Sequence, residues 1–468
     1  MNLARRVAVI LAAGLGKRMK SDRVKVLHPV AGVPMLGHVV NRVRSCGVDR
    51  CIVVVGHQAD RVREFLGDQV EYAEQREQLG TGHAVQQAVP KVDPADELLV
   101  LCGDTPLLTE QEIETLFQKV ERERLAAALL STELENPTGY GRIIRGSSGE
   151  FIRIVEEADA NHDERACREI NAGIYCFRAE PLIRELAALQ PVNAQGEYYL
   201  VDVLTGMVRA GDQVGVVQTD HPEHVLGVNN RRQLAEAEAV MRRRIRDHWL
   251  DEGVSMIAPE TVWIDADVRI GRDTVLYPNT YLCAGSVIGR DCHIGPGSEI
   301  IASNVGDRVK IWRSVVEESH LEDEAQVGPF AHLRPGNHLR RGVKVGNFAE
   351  LKNARIGEGS KIPHHSYLGD VRVGESVNIG AGVVTVNYDG LEKHHTEIDD
   401  HAFVGCNANL IAPVKIGEGG YVAAGSTINR DVPGGDLAIA RARQENKSGW
   451  AKRLLRKKSG INGHQQKG

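Results

Sequence analysis

From about residue 257 onward an aliphatic side chain recurs at every sixth position. Ile264, Ile270, Leu276, Leu282, Ile288, Ile294 and Ile300 form one unbroken series. Leu321, Val327, Leu333, Leu339, Val345 and Leu351 form a second, and Ile398, Val404, Leu410, Ile416, Val422 and Ile428 a third. Ile356, Ile362 and Leu368, then Val373 and Ile379, fill the gap with slips of one residue. A period of six matches neither the 3.6 of a helix nor the alternation of a strand in tight hairpins. It matches a parallel β-helix, in which each hexapeptide supplies one short strand and one corner, with the aliphatic pointing inward. Gly often follows the aliphatic, as at Gly271, Gly289, Gly346 and Gly405, and lets the chain turn there. Three long in-phase series argue against chance periodicity in an ordinary β-rich domain.

This repeat resembles that of the hexapeptide-repeat acyltransferases. The resemblance implies three hexapeptides per triangular coil and a left-handed winding, an exception to the usual right-handed crossover. It also implies a trimer with acyl-CoA sites between subunits. On that basis residues 257–437 supply roughly ten coils, and at about 4.8 Å per stacked strand the prism is on the order of 50 Å long.

The first half lacks this period. Residues 7–14, Ile52–Gly56 and Leu98–Asp104 each read as a buried strand ending in a turn, with helical stretches at 35–46 and 110–122 between them. Such β–α alternation predicts a parallel or mixed Rossmann-like sheet with helices on both faces, whose ligands sit at the carboxyl ends of the strands. A chain of 468 residues, 42% of them hydrophobic, suits two to four packed domains. Lys+Arg is 57 against 63 Asp+Glu, which argues against a dedicated nucleic-acid binder. No run of eighteen apolar residues is present, so no membrane span is expected. The apolar run Val7–Ala13 leads straight into Gly14-Leu15-Gly16-Lys17-Arg18 without a small-residue cleavage site, which reads as a cytoplasmic protein. The eight cysteines form no CxxC pair, and reduced thiols are expected.

The loop Gly14-Leu15-Gly16 is neither the dinucleotide fingerprint nor a Walker A motif, and by itself could be an ordinary turn. Leu11-Ala12-Ala13-Gly14-Leu15-Gly16-Lys17-Arg18-Met19, followed by Lys25-Val26-Leu27, resembles the signature of sugar-nucleotide pyrophosphorylases. Backbone N–H groups, Arg18 and Lys25 suit the charge of a triphosphate and of the departing pyrophosphate. Otherwise Lys25 is a solvated lysine and Arg18 a surface ion pair. Gly103-Asp104 ends an apolar strand where phosphates would lie. Asp104 alone reads as a cap of the next helix, because Thr105-Pro106 follows; beside a triphosphate it reads as a Mg²⁺ ligand.

Further motifs extend the resemblance over essentially the whole chain. They are Gln78-Leu79-Gly80-Thr81-Gly82-His83-Ala84, Pro137-Thr138-Gly139-Tyr140-Gly141-Arg142-Ile143, Glu169-Ile170-Asn171-Ala172-Gly173-Ile174, Gly196-Glu197-Tyr198-Tyr199 and Gly227-Val228-Asn229-Asn230. In this order, ahead of a hexapeptide domain, they resemble the bacterial family that unites N-acetylglucosamine-1-phosphate uridylyltransferase with glucosamine-1-phosphate N-acetyltransferase. The resemblance implies that Leu11, Ala12, Ala13, Gly14, Lys25 and Gly103 meet the nucleotide. It places Gln75, Gly80 and Thr81 at uracil and ribose, and Gly141, Glu156 and Asn171 at the sugar. Asp104 and Asn229 would bind Mg²⁺. In the second half Arg334, Lys352, Tyr367 and Asn378 would hold the sugar phosphate, and His364 in Pro363-His364-His365-Ser366-Tyr367 would be the catalytic base. Ala381, Asn387, Tyr388, Cys406, Ala424 and Arg441 would meet acetyl-CoA. Acetyl-CoA and UTP are then the co-substrates, in a homotrimer with no nucleic-acid partner and no stable membrane association. Without the resemblance, Arg334 and Lys352 read as β-helix surface charge and His364 as an exposed corner residue.

The expected division is a nucleotidyltransferase domain 1–228, a linker helix 229–252, a β-helix acetyltransferase domain 253–445 and a basic tail 446–468. The helix carries an apolar stripe, Leu234, Val240/Met241, Ile245 and Trp249/Leu250, and an arginine cluster read as a solvated face. The tail reads as flexible. Residues 385–397 interrupt the repeat and read as a functional loop, or else a tolerated insertion. The sequence departs from the family at Val24 (usually Pro), Lys17 (often a hydroxyl residue), Pro363 (Asn or Gly) and Cys406 (Ser). Two other readings stand: another sugar-1-phosphate nucleotidyltransferase with a vestigial β-helix, and a non-catalytic scaffold. The intact His364–Tyr367 stretch argues against the first, and the retained charges at Arg18, Lys25, Asp104, Arg334, Lys352 and His364 against the second.

Overall fold

The computed structural model describes residues 5–458. Two compact units emerge. Among the described residues one runs through Val254 and takes in Ala258–Arg269 and Leu282–Gly285; the other holds Ser255–Ile257, Ile270–Tyr281 and residues 286–458.

The first unit is built on a nine-stranded sheet. Its central path runs Val214–Gln218, Ala127–Glu133, Glu169–Arg178, Glu97–Cys102, Arg6–Leu11, Arg50–Val55, Glu71–Glu74. All are mutually parallel except Glu169–Arg178, which runs antiparallel to both neighbours. A hairpin of Arg142–Arg145 and Phe151–Val155 attaches to that strand. The sheet is therefore mixed. Alternate residues of Arg6–Leu11 enter two cores: Ala8 and Ile10 pack with Leu36, Val39, Ile113 and Phe117, whereas Val7 and Val9 pack with Ala84, Leu182, Leu204 and Met207. Burial on both faces explains why the strands read as continuous apolar runs.

The helix Arg231–Asp251 begins at Asn230, whose side chain accepts hydrogen bonds from Arg232 N and Gln233 N. Leu234, Val240 and Met241 pack against Val30, Met35, Leu107 and Val228, while Leu250 stays exposed. The arginine cluster is not simply a solvated face. Arg242 lies 4.4 Å from the Trp263 ring and pairs with Glu238 at 2.6 Å, Arg244 donates to Leu107 O at 2.6 Å, and Arg231 donates to Met19 O at 3.2 Å.

The second unit is a parallel β-helix of two- to seven-residue strands, stacked as an 11-stranded sheet and a 17-stranded sheet in which each strand pairs with the next coil. Every aliphatic of the six-residue series is buried. Fully burying one such side chain is worth about 1.5–3 kcal/mol, so the repeat itself is the core. Between the first two series Val305, Ile311 and Val316 continue the row, buried and spaced five or six apart. A second inward position lies two residues before the aliphatic and takes small side chains. There Thr274 Oγ1 donates to Gly289 O at 2.8 Å and accepts from Cys292 N at 3.0 Å, and Ser360 Oγ repeats the pattern with Gly374 O and Val377 N. These hydroxyls satisfy corner backbone groups that would otherwise be buried unpaired. At Gly289 a Cβ would lie 2.5 Å from Gly306 O of the next coil, so only glycine permits the stacking.

Within the tail, Trp450–Lys458 is helical rather than irregular, because the stretch is free of Gly and Pro and rich in helix formers. The rest of the tail, 459–468, lies outside the described residues. All eight cysteines are free.

Candidate functional site

Three strand ends of the first unit open onto one cleft. Leu11 continues into a loop tied on both sides: Ala12 N donates to Val54 O and Gly103 N to Leu11 O, each at 2.9 Å. A Cβ on Gly14 would meet nothing within 4 Å, so the loop backbone faces open space. The cleft, of about 350 Å³, is lined by Leu11, Ala12, Ala13, Gly14, Lys25, Gln75, Gly80, Thr81, Asp104 and Asn229, together with Gln78, Cys102 and Glu197. Lys25 Nζ forms an ion pair with Asp104 Oδ2 and donates to Asn229 Oδ1 at 2.7 Å, which also accepts from Arg18 Nη2 at 3.0 Å. Asp104 does not cap a helix: Thr109 caps Glu110–Glu123, and Asp104 is held over the cleft, its carbonyl accepting from Val228 N at 2.9 Å. Burial, with the Asp104 carboxylate close by, pushes the Cys102 thiol up to about 12, so it stays protonated.

Gln75 is buried and donates from Nε2 to Gly80 O at 3.0 Å. Gly80 has φ +114°, and a Cβ there would lie 2.6 Å from Tyr198 O. Any side chain at Gly80 must therefore displace the backbone between Gln75 and Thr81. Thr81 and Glu197 also line a neighbouring cavity of about 410 Å³ with Gly139, Glu156, Glu157 and Tyr199. Gly141 sits against this pocket: its Cβ position is 3.1 Å from Glu156 Oε1, and its carbonyl accepts from Asn171 N at 2.9 Å. Burial, reinforced by Asp159 and Asp202, raises the Glu156 carboxyl above its usual range. The residues assigned to nucleotide and sugar thus form two adjoining pockets.

In the β-helix, Lys344–Asn347 and Lys361–His364 pair in register, with Asn347 opposite His364. Pro363 does not break this pairing. His364 Nδ1 lies 2.5 Å from Asn347 Oδ1, a partner that one-coil stacking supplies 17 residues upstream and that motif reading missed. Arg334 pairs with Glu350 at 3.0 Å. The adjacent Lys393 ammonium, together with Arg334, holds Lys352 below the usual lysine range. Arg334, Lys352 and Lys393 thus place three cations close together. Lys393 belongs to the loop that interrupts the repeat, and only that interruption hinted at it. Burial opposes the Asp370 charge, but hydrogen bonds from Asn353 and Asn387 and the nearby Lys393 and Lys352 bring its carboxyl down. Tyr367 OH and Asn387 Nδ2 both crowd the Cβ position of Gly369, at 2.5 and 2.8 Å. Asn378 starts the strand that stacks on Lys361–His364 from the next coil, and Tyr388 is exposed on the loop. A Cβ on Gly380, beside Ala381, would sit 2.6 Å from Cys406 N, one on Gly405 2.6 Å from Ala424 N, and one on Gly425 3.9 Å from Arg441 Cδ. These close approaches stack the predicted acetyl-CoA residues along successive coils.

A strand-end cleft that gathers Lys25, Asp104 and Asn229, followed by a hexapeptide β-helix carrying His364 and the Arg334, Lys352 and Lys393 cations, suits a nucleotidyltransferase joined to an acyltransferase. Residues 8–246 match the family model of the MobA-like NTP transferase domain, and residues 267–302 that of the bacterial transferase hexapeptide (six repeats). The chain is 50% identical over 449 residues to Bifunctional protein GlmU of Shouchella clausii (strain KSM-K16), covering 96% of this chain and 99% of the relative. It is 49% identical over 458 residues to Bifunctional protein GlmU of Geobacillus sp. (strain WCH70), covering 98% and 100%. The chain belongs to the GlmU family of bifunctional proteins. It is an enzyme of two activities, acetyl transfer and uridylyl transfer, which make UDP-N-acetylglucosamine from nucleotide and acetyl-CoA substrates. Among the described residues no helix is long and apolar enough to cross a membrane.

Proposed function

We propose that the two sites act in sequence on one sugar, acetylation in the β-helix first and uridylylation in the sheet domain second. In the first step Arg334 and Lys352, with Tyr367 and Asn378, hold the phosphate and ring of glucosamine 1-phosphate. His364 takes the proton from the attacking amine. A C–N bond forms to the acetyl carbon, the C–S bond breaks, and the thiol of CoA leaves. Ala381, Asn387, Tyr388, Cys406, Ala424 and Arg441 hold acetyl-CoA.

In the second step the Leu11–Gly14 backbone, Arg18 and Lys25 hold UTP, with Gly103 admitting the phosphates close to the strand. Gln75, Gly80 and Thr81 hold uracil and ribose, and Gly141, Glu156 and Asn171 orient N-acetylglucosamine 1-phosphate. A phosphate oxygen attacks the α-phosphorus and pyrophosphate leaves. Positioning and charge neutralisation supply the catalysis, with no covalent intermediate. The observation that carries this reading is the convergence of Asp104 and Asn229 side-chain oxygens on one ammonium, Lys25 Nζ. Two hard oxygens meeting at one cationic point also fit Mg²⁺, which takes one or two such ligands plus substrate phosphates. When bound there, Mg²⁺ would neutralise phosphate charge.

The test is one reaction of the purified chain with glucosamine 1-phosphate, acetyl-CoA, UTP and Mg²⁺. UDP-N-acetylglucosamine, free CoA and pyrophosphate are expected together. If only acetylated sugar phosphate accumulates, the nucleotide assignment fails. We further place the enzyme in the cytoplasm, as a homotrimer with acetyltransferase sites between subunits. Light scattering should give three times the chain mass, and a fully acetylating monomer would rule out shared sites.

Cys406 is the one exposed thiol of the eight. Iodoacetamide is expected to inactivate acetyl transfer and to spare uridylyl transfer, and Cys406→Ser should remove the sensitivity. Unchanged inactivation of that variant would take Cys406 out of the acetyl-CoA site.

A further inference from the structure

The edge strand Val214–Gln218 leads into Thr219-Asp220-His221-Pro222-Glu223-His224, where Pro222–Val225 makes one helical turn. This turn has no part in either active site. The rings of His221 and His224 stack with centroids 4.7 Å apart and planes 17° apart. Glu223 Oε1 lies 3.9 Å from both His221 Nδ1 and His224 Nε2. Ligand atoms of the three residues all fall within 4.8 Å of one another.

A second observation comes from outside the turn. His224 Nδ1 lies 2.7 Å from Oε1 of Glu112, whose side chain is only 8% exposed. Glu112 is fixed in turn by Thr109, whose backbone N–H donates to Oε2 at 3.2 Å. A carboxylate accepts, so His224 Nδ1–H donates to Glu112 Oε1, and the Nε2 edge of the ring faces Glu223. Outer carboxylates orient metal-binding imidazoles in this way and raise their basicity.

We propose that His221, Glu223 and His224 form a site for a Zn²⁺-class transition-metal ion, oriented by Glu112 and distinct from the nucleotide cleft. Two imidazoles and one carboxylate suit Zn²⁺ with water in the fourth position, whereas Mg²⁺ favours oxygen ligands throughout. Bonds of about 2.0–2.2 Å require the ligand atoms to draw together, and His221 and Glu223 are the more exposed members. The ion would tie down the start of the stretch that leads to Asn229. Another trio, His320, Glu322 and His338, is equally compact, but Glu322 there already pairs with Arg340 at 3.1 Å.

The test titrates the full chain with Zn²⁺ against a chromophoric chelator, in excess Mg²⁺ to occupy oxygen sites. One tight Zn²⁺ per chain is expected. His221→Ala and Glu223→Gln, both surface changes, should abolish it. Glu112→Gln should weaken it by about 10-fold or more, and His338→Ala should leave it unchanged. Tight binding that survives both surface variants, binding lost in His338→Ala, or no competition with the chelator by the wild-type chain would each overturn the proposal.

Discussion

Replacing His364 by alanine lowers acetyl transfer by about 10²–10⁴-fold and leaves uridylyl transfer at its wild-type rate. The side chain ends the strand Lys361–His364 and is exposed, so its removal opens no cavity in the β-helix core. Its Nδ1 faces the Oδ1 of Asn347 at 2.5 Å. An amide oxygen only accepts, so Nδ1–H is the donor of this contact, and in the neutral imidazole Nε2 is the nitrogen that can take a proton. The neighbouring His365 has no such partner among the hydrogen bonds described, and its backbone lies in the left-handed region at φ 46°, which turns the chain rather than positions a base. The two rates are separable because uridylyl transfer can be followed with N-acetylglucosamine 1-phosphate supplied directly. Acetyl transfer at the normal rate in His364→Ala would remove this residue as the base. A loss of both activities, with early thermal unfolding, would show damage to the fold rather than to the chemistry.

The β-helix was legible because one residue type does one job at a fixed period: each aliphatic of the three series is buried. Val305, Ile311 and Val316 escaped because three of the four intervening repeats are a residue short. The hydroxyl row at Thr274 and Ser360 escaped for a different reason. Ser and Thr are normally surface residues, and only stacking supplies the backbone partners that let them be buried. In the first unit Arg6–Leu11, Arg50–Val55 and Glu97–Cys102 read as apolar runs, yet the antiparallel strand Glu169–Arg178 did not. A register shift between Asn171 and Tyr175 interrupts it where it meets Ala127–Glu133. The sites divide in the same way. Motif residues such as Gly14, Gln75 and Thr81 line one cleft. Asp104 looked like a helix cap, because its partner Lys25 is distant in sequence and close only in the fold. Asn347 and Lys393 meet His364 and Lys352 only through coil geometry, and no motif marks them.

Asp104→Ala is expected to lower uridylyl transfer by at least about 10²–10³-fold while acetylation proceeds unchanged. Two effects combine. The variant removes one of the two oxygens that converge on the cationic point beside Gly14, and with it half of the proposed Mg²⁺ anchorage. It also strips Lys25 of its carboxylate in a pair whose side chains are only 15% and 13% exposed. An ammonium left without its partner there relaxes toward Asn229, which already accepts from Lys25 and Arg18. The charge meant for the phosphates is then misplaced as well as unbalanced. Asp104→Asn separates the contributions, because it keeps the shape and one oxygen while removing the charge. If charge decides the rate, Asp104→Asn should fall nearly as far as Asp104→Ala, with thermal unfolding close to wild type. If Asp104→Asn keeps most of its activity, the carboxylate is only an anchor for Lys25 and the Mg²⁺ assignment is wrong. Pyrophosphate release with N-acetylglucosamine 1-phosphate and UTP reads the first activity, and CoA release with glucosamine 1-phosphate reads the second. Intact CoA release beside lost pyrophosphate release is the expected pattern for two sites that do their chemistry independently on one chain.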